Sequence, residues 1–172
     1  MNVADLRVRH VTVADLPTLS AFRCSIGESW EDVVEEQVRG ALPRRYLAVP
    51  PRFDGRMLFG HLDDGEILVV GAHHIEPTLV PDVGYTEVVA VALDRRRTLV
   101  ELPDGDTLSL GALMLLTIFR QMRELRRHRR TFVRVDRRNA RSLALCDRVG
   151  LVDERPDLHD GGLVQRWGEL PE

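Results

Sequence analysis

Asn139 and Cys146 stand seven residues apart in the stretch NARSLALCDRVGL, residues 139–151. Seven residues are two helical turns, so a helix would present an amide and a thiol on one face. A thiol has a reference pKa of about 8.5 and can donate a proton, though it is a weak donor. His73 and His74 alternate across an extended stretch and point opposite ways, so they cannot form one ligand pair. With His61 they still give no Cys/His/Asp set at ligand spacing, and no metal is expected. Ser109 precedes Gly111 without a G-x-S-x-G context, and neither a Walker loop nor a dinucleotide fingerprint occurs. From Arg120 to Arg141 the chain is dense in Arg. A helix C-terminus favours such cations, and the same density would suit RNA or the phosphates of a cofactor.

The elements that carry these groups belong to a chain of 172 residues, enough for one domain with a sizeable core, so 1–172 reads as a single domain. Hydrophobic residues make up 44% and charged residues 30%, as in ordinary globular proteins. No apolar run approaches the ~20 residues of a membrane span, so no membrane partner is expected. The start, MNVADLRVRH, lacks a signal-peptide core, and Cys24 and Cys146 lack C-x-x-C spacing, which together suggest a reducing, cytoplasmic setting. The net charge of −3 predicts no general affinity for nucleic acid, although the Arg-rich 120–141 region leaves RNA open. Every basic residue is Arg, none Lys.

LRVRHV (6–11) alternates as a strand does, and Thr12 or Asp15 can cap a helix running to about Cys24, with Pro17 in its first turn. Ser29 followed by Asp32 resembles a capping box for a helix WEDVVEEQVRGAL that Pro43 ends. After Pro50-Pro51, RMLFGHL and EILVVGAHHI read as strands joined at Asp63-Asp64-Gly65. PTLVPD (77–82) is a loop, and YTEVVAVAL (85–93) is an apolar and therefore central strand. Pro103-Asp104-Gly105-Asp106 predicts an extra hairpin or a long ordered loop. Apolar residues at 112, 115, 116, 119, 122 and 125 have helical spacing, TFVRV (131–135) is a strand, and 139–149 is a helix with Gly150 as its C-terminal cap. Leu151 to Glu154 and Leu163 to Trp167 complete the set as strands. The order predicts an α/β fold of the α+β type: a mixed, mostly antiparallel central sheet, a parallel strand-helix-strand unit, and helices on both faces.

With these residues, that order resembles the GNAT superfamily of acyl-CoA-dependent N-acyltransferases over nearly the whole chain. LRVRHVTVADLPTL is similar to the family's first strand and helix, YTEVVAVALDRRR to its fourth strand, GALMLL to the start of its central helix, and NARSLALCDRVGL to its N-x-x-(A/S)-x-x-L segment. Two departures stand out. The family's basic-x-x-Gly-x-Gly/Ala loop, whose amides hold the CoA pyrophosphate at a helix N-terminus, aligns with Asp106, Ser109 and Gly111, in a segment several residues too long. Arg95, Arg96 and Arg97 could restore the missing charge or lie solvated in a turn. The family's Tyr, which protonates the leaving sulfur, is Cys146.

The resemblance implies an N-acyltransferase, foremost an N-acetyltransferase, that uses acetyl-CoA or another acyl-CoA on a small-molecule or peptide amine in a ternary complex. A homodimer is compatible with it. It implies Glu87 as base, recognisable by a pKa raised through burial, and Cys146 as proton donor or as a packed residue. Backbone N–H groups of Val89, Ala90 and Val91 would stabilise the thioester oxygen where strand 85–93 splays from 131–135. Ser109, Leu110, Gly111, Ala112, Asn139 and Ser142 would hold the cofactor. Glu28, Trp30, Asp157, His159 and Asp160 fall in segments that roof the acceptor, with Trp30 and His159 as its candidate contacts. The altered loop and the missing Tyr also admit a catalytically degenerate GNAT-like module that binds a ligand or a protein.

Overall fold

A computed structural model of the chain describes residues 1–47, 54–76, 83–125 and 129–170. The Pro50-Pro51 break, the 77–82 loop, and Arg126, Arg127 and His128 of the Arg-rich stretch lie outside the described residues. β1 (Arg7–His10) leads through a 3-10 turn (Val13–Asp15) to α1 (Leu16–Ser20). α2 (Ser29–Glu36) continues through a π turn (Gln37–Ala41) into α3 (Leu42–Tyr46). Then come β2 (Arg56–His61), β3 (Ile67–Glu76), β4 (Val83–Val91), the small hairpin β5 (Leu99–Glu101) and β6 (Thr107–Ser109), and α4 (Leu110–Glu124). β7 (Arg130–Asp136), α5 (Ala140–Arg148), β8 (Asp153–Pro156) and β9 (Leu163–Glu169) follow.

Among the described residues, seven strands form one sheet in the order β1-β2-β3-β4-β7-β9-β8. β4 and β7 are parallel and every other neighbouring pair is antiparallel, as the element order predicted. On the rear face, α4 buries Leu110, Met114, Ile118, Phe119 and Met122 against Leu68, Val69, Val135 and Val164, and α5 adds Cys146. The approach is close because β3 offers no side chain at Gly71, where a Cβ would stand 2.7 Å from Met114. On the front face, Leu19, Phe22, Val38, Leu42 and Tyr46 of α1–α3 and the α1–α2 connection cover Val70, Ala72, Val88 and Ala90.

Three local expectations change. α1 stops at Ser20 rather than near Cys24, because the Cys24 and Ser25 amides donate to the buried Glu35 carboxylate at 2.7 and 2.9 Å instead of extending the helix. Ser29 is the first residue of α2, not its cap; Glu28 holds that position, and Asp32 accepts from Ser25 Oγ at 2.5 Å. Pro43 does not end the helix. The π turn ahead of it, closed by Leu42 N–H to Gln37 O, widens the backbone where the Pro43 ring must fit, and α3 runs on from there. The predicted hairpins form at Gly65 and Gly105, both with φ near +90°. Gly150, φ 84°, ends α5: its N–H reaches Asp147 O at 3.3 Å and that of Leu151 reaches Cys146 O at 2.9 Å.

Candidate functional site

β4 and β7 pair only over Gly84–Thr131, Tyr85–Phe132 and Thr86–Val133, yet β4 runs on to Val91 and β7 to Asp136. Beyond Thr86 the two parallel strands part. At the far end the chain leaving α1 closes the opening, for Leu93 N–H donates to Arg23 O at 2.8 Å. Ala92 N–H donates to Leu68 O, on the β3 side, at 2.8 Å. Strand N–H groups alternate in direction. The amides of Val89 and Val91 therefore point into the opening, as Leu93 does, while that of Ala90 points at β3. Of the three residues expected to offer an amide, Ala90 is corrected on this ground.

A β-bulge stands at the fork. Ala72 pairs with Val88 and His73 with Thr86, so Glu87 is the extra residue of β4. Gly84, where a Cβ would meet Met122 of α4, faces the rear, as do Val89 and Val91, which lie against Gly111. Positions of opposite parity thus share a face, and the slip at Glu87 causes it: Glu87 and Val88 both face front. There Glu87 is ion-paired with Arg45 and accepts from Tyr46 Oη at 2.6 Å. His74 Nδ1 lies 2.9 Å from Tyr46 Oη and 3.5 Å from Glu87 Oε2. Burial alone would raise the Glu87 pKa, but the hydrogen bonds from His74 and Tyr46 and the charge of Arg45 outweigh it and hold it at about 2. This reverses the signature expected of a base. A carboxylate so acidic has little affinity for an amine proton. Burial and the neighbouring carboxylate push the Tyr46 phenol well above its ordinary value.

Behind the opening, α4 begins against β4 and α5: a Cβ on Gly111 would stand 3.1 Å from Leu145, 3.7 Å from Val91 and 3.9 Å from Val89. Ser109 is the N-cap, its Oγ accepting from Ala112 N at 3.3 Å. Helix geometry leaves the N–H groups of Leu110 and Gly111 without intrahelical acceptors, which suits an anion. The extra length of this segment is the β5–β6 hairpin, tied to the chain start by Glu101 N–H to Met1 O at 2.9 Å. Arg95 donates from Nε and Nη2 to the two carboxylate oxygens of Glu66 and Arg96 pairs with Glu31, so neither supplies the missing loop charge; Arg97 is exposed. Asn139 caps α5, its Oδ1 accepting from Ser142 N at 3.0 Å. Cys146 is 2% exposed, and burial pushes its thiol up to about 11. Of the two readings of Cys146, this burial fits the packed residue and not the proton donor: the thiol belongs to the rear core with Leu151 and Val164.

Trp30 stacks under the Arg138 guanidinium at 4.6 Å, bringing α2 to the turn before α5. His159 is exposed in the β8–β9 turn and donates its backbone N–H to Asp157 Oδ1 at 2.9 Å. Asp157 is the buried member of that turn. Burial raises its pKa, but the amides of His159 and Asp160, Gln165 and Arg134 bring it below the ordinary value. Arg134 in turn lies over Tyr85, which stacks on Phe132 at 4.7 Å, and Phe132 on Trp167 at 4.6 Å. Arg130, Arg134 and Arg138 of the Arg-rich stretch pair with Asp153, Asp157 and Asp136. Arg45, Tyr46 and His74 carry no sequence signal as a group, since sheet register and the π turn bring them together. Only His74 stood out in the sequence, and for its neighbour rather than for Tyr46. Among the described residues no cluster of His, Cys, Asp and Glu is fit to hold a metal ion.

Neither a protein-family model nor a curated protein sequence matches the chain. Solved structures do. The GNAT domain of S. lividans PAT is similar at 19% identity with a TM-score of 0.68, covering 96% of this chain and 90% of that one. PaiA N-acetyltransferase of Thermoplasma acidophilum, in complex with coenzyme A, is similar at 15% identity and 0.67, covering 95% and 98%. An acetyltransferase of the GNAT family from Streptococcus pneumoniae is similar at 14% identity and 0.61, covering 96% and 99%. The chain has the GNAT fold.

Proposed function

On that fold, we propose that the chain is an N-acyltransferase that moves an acyl group from acetyl-CoA, or another acyl-CoA, to an amine by direct attack in a ternary complex. The observation that carries this reading is the parted β4–β7 pair with the Val89 and Val91 amides turned into the opening. An extended pantetheine arm can lie there as a strand would. As the amine attacks, negative charge gathers on the thioester oxygen, and preorganised backbone donors stabilise it without reorganising. The N–H groups of Leu110 and Gly111 at the start of α4 fit a pyrophosphate, and Gly111 leaves room for close approach. Asn139 and Ser142 shape the first turn of α5. Trp30, the β8–β9 turn with His159, and the Tyr85 ring bound the side from which the amine arrives. The leaving thiolate takes its proton from water rather than from Cys146.

The test is a calorimetric titration with acetyl-CoA, joined to thiol release with a panel of amines: spermidine, amino-acid esters and short peptides. Saturable binding and amine-dependent thiol release support the enzyme. Absence of both favours the degenerate binding module, which the side-chain cap of Ser109 on α4 would then explain.

A further inference from the structure

The front-face cluster at the fork fixes where one proton sits. Tyr46 has a single hydroxyl proton and two close neighbours, Glu87 Oε2 at 2.6 Å and His74 Nδ1 at 2.9 Å. Glu87 is anionic, so an oxygen–oxygen approach of 2.6 Å without a proton between would be repulsive. The Tyr46 proton therefore points at Glu87. What His74 Nδ1 then faces is acceptors only: the Tyr46 oxygen at 2.9 Å and Glu87 Oε2 at 3.5 Å. Nδ1 must carry the imidazole proton, and Nε2 is left with its lone pair. Among the described residues none hydrogen-bonds Nε2, and the side chain reaches the surface at 17% exposure. The ring is held edge-on to Tyr85, with centroids 5.0 Å apart. His74 pairs with Tyr85 across β3–β4, and Glu87 is the first β4 residue past the last β4–β7 pair, so the cluster lies at the point where the opening begins.

We propose that His74 is the general base of the acyl transfer, with Nε2 taking the amine proton, and that Tyr46 and Glu87 are positioning residues that hold its tautomer. This rests on the transferase reading above. In the step, the neutral amine nitrogen bonds to the thioester carbon and the carbon–sulfur bond breaks to release the thiolate. The proton that the nitrogen sheds moves to Nε2 and later leaves to water. The imidazolium formed meanwhile faces the Glu87 carboxylate. The charged and titratable groups around it are Arg45 and Tyr46 from α3, Tyr85 and Glu87 from β4, and Arg134 from β7 beyond the Tyr85 ring.

Nitrogen-15 NMR of the imidazoles in the parent protein reads the tautomer, with His74→Gln identifying the signal and circular dichroism checking its fold. The Nδ1–H form is expected, and the Nε2–H form overturns the proposal whatever the substrate. In acetyl-CoA assays with the best amine of the panel, His74→Ala should lower kcat/KM by about 10²–10⁴-fold. Acetyl-CoA binding by calorimetry should stay unchanged, and added imidazole should restore rate. Tyr46→Phe should lose about tenfold, with its imidazole signal moving toward a mixed tautomer. A parent that transfers acetyl groups while folded His74→Ala keeps the full rate refutes the assignment of His74 and leaves the transferase intact. A parent that binds no acetyl-CoA and releases no thiol refutes the transferase, and the base with it.

Discussion

Replacing Glu87 with Gln tests the front-face cluster through stability alone. The Glu87 pKa moves from an ordinary 4.5 to about 2 on folding. At about 1.4 kcal/mol per unit, that difference bounds the contribution at about 3 kcal/mol. The Arg45 side chain is 53% exposed, and solvent screens its share, so about 2 kcal/mol is the expected loss for Glu87→Gln at pH 7. The sign follows from the depressed pKa: the stabilisation is fully present above 4.5 and disappears as pH falls through about 2. Urea unfolding of parent and variant at pH 7, 5, 4 and 3 reads this directly. The gap should hold to pH 5, narrow at pH 4, and fall below about 1 kcal/mol at pH 3. His73, buried behind the sheet and lowered to about 4 by that burial, also weakens both proteins in acid, but equally, so the difference isolates Glu87. A gap that is absent at pH 7, or that widens toward pH 3, would refute the depressed carboxylate and the proton placement built on it.

Cys146→Ala should keep the parent rate of thiol release and cost about 1 kcal/mol in urea unfolding, and a large loss of rate in a folded variant would restore the thiol to the chemistry. With thiols pushed up to about 12 and about 11, Cys24 and Cys146 should react with a disulfide reagent only in denaturant at pH 7; rapid native labelling would contradict their burial. Gly168→Ala places a Cβ 2.4 Å from the Gly150 carbonyl oxygen and should cost about 2–3 kcal/mol, read as a lowered Tm. Gly84→Ala should cost less, because its clash is with the flexible Met122 side chain, and the reverse ranking would refute this packing. Asn139→Ala removes the α5 cap and should cost about 1 kcal/mol by thermal melt.

The strand pattern, both Gly-centred hairpins, the helix packed behind the sheet and the Gly150 cap were legible because each rests on local chemistry: alternation, helical spacing, or a residue that tolerates positive φ. Pro43 misled because a π turn carries no residue signature; a proline that ends a regular helix can open the next one once the chain has slipped by a residue. The end of α1 was hidden in another way: the Glu35 carboxylate, from the next helix, receives the amides of Cys24 and Ser25, and only packing shows that. The parted strands were expected from the resemblance. The division of labour among Val89, Ala90 and Val91 was not, since it depends on register against β3. Glu87 was legible as a residue of interest but not in its electrostatics, because Arg45, Tyr46 and His74 reach it from other elements.

The one-residue excess in β4 is local in its effect. Were Glu87 excised, Val88 would keep Ala72 as its partner and the strand would resume an unbroken two-beat rhythm, with the donors of Val89 and Val91 aimed as before. What would vanish is the acidic side chain at the mouth of the slot, and with it the anchor for Arg45, Tyr46 and His74. The slot belongs in this sense to the backbone, and its furnishing to one inserted residue.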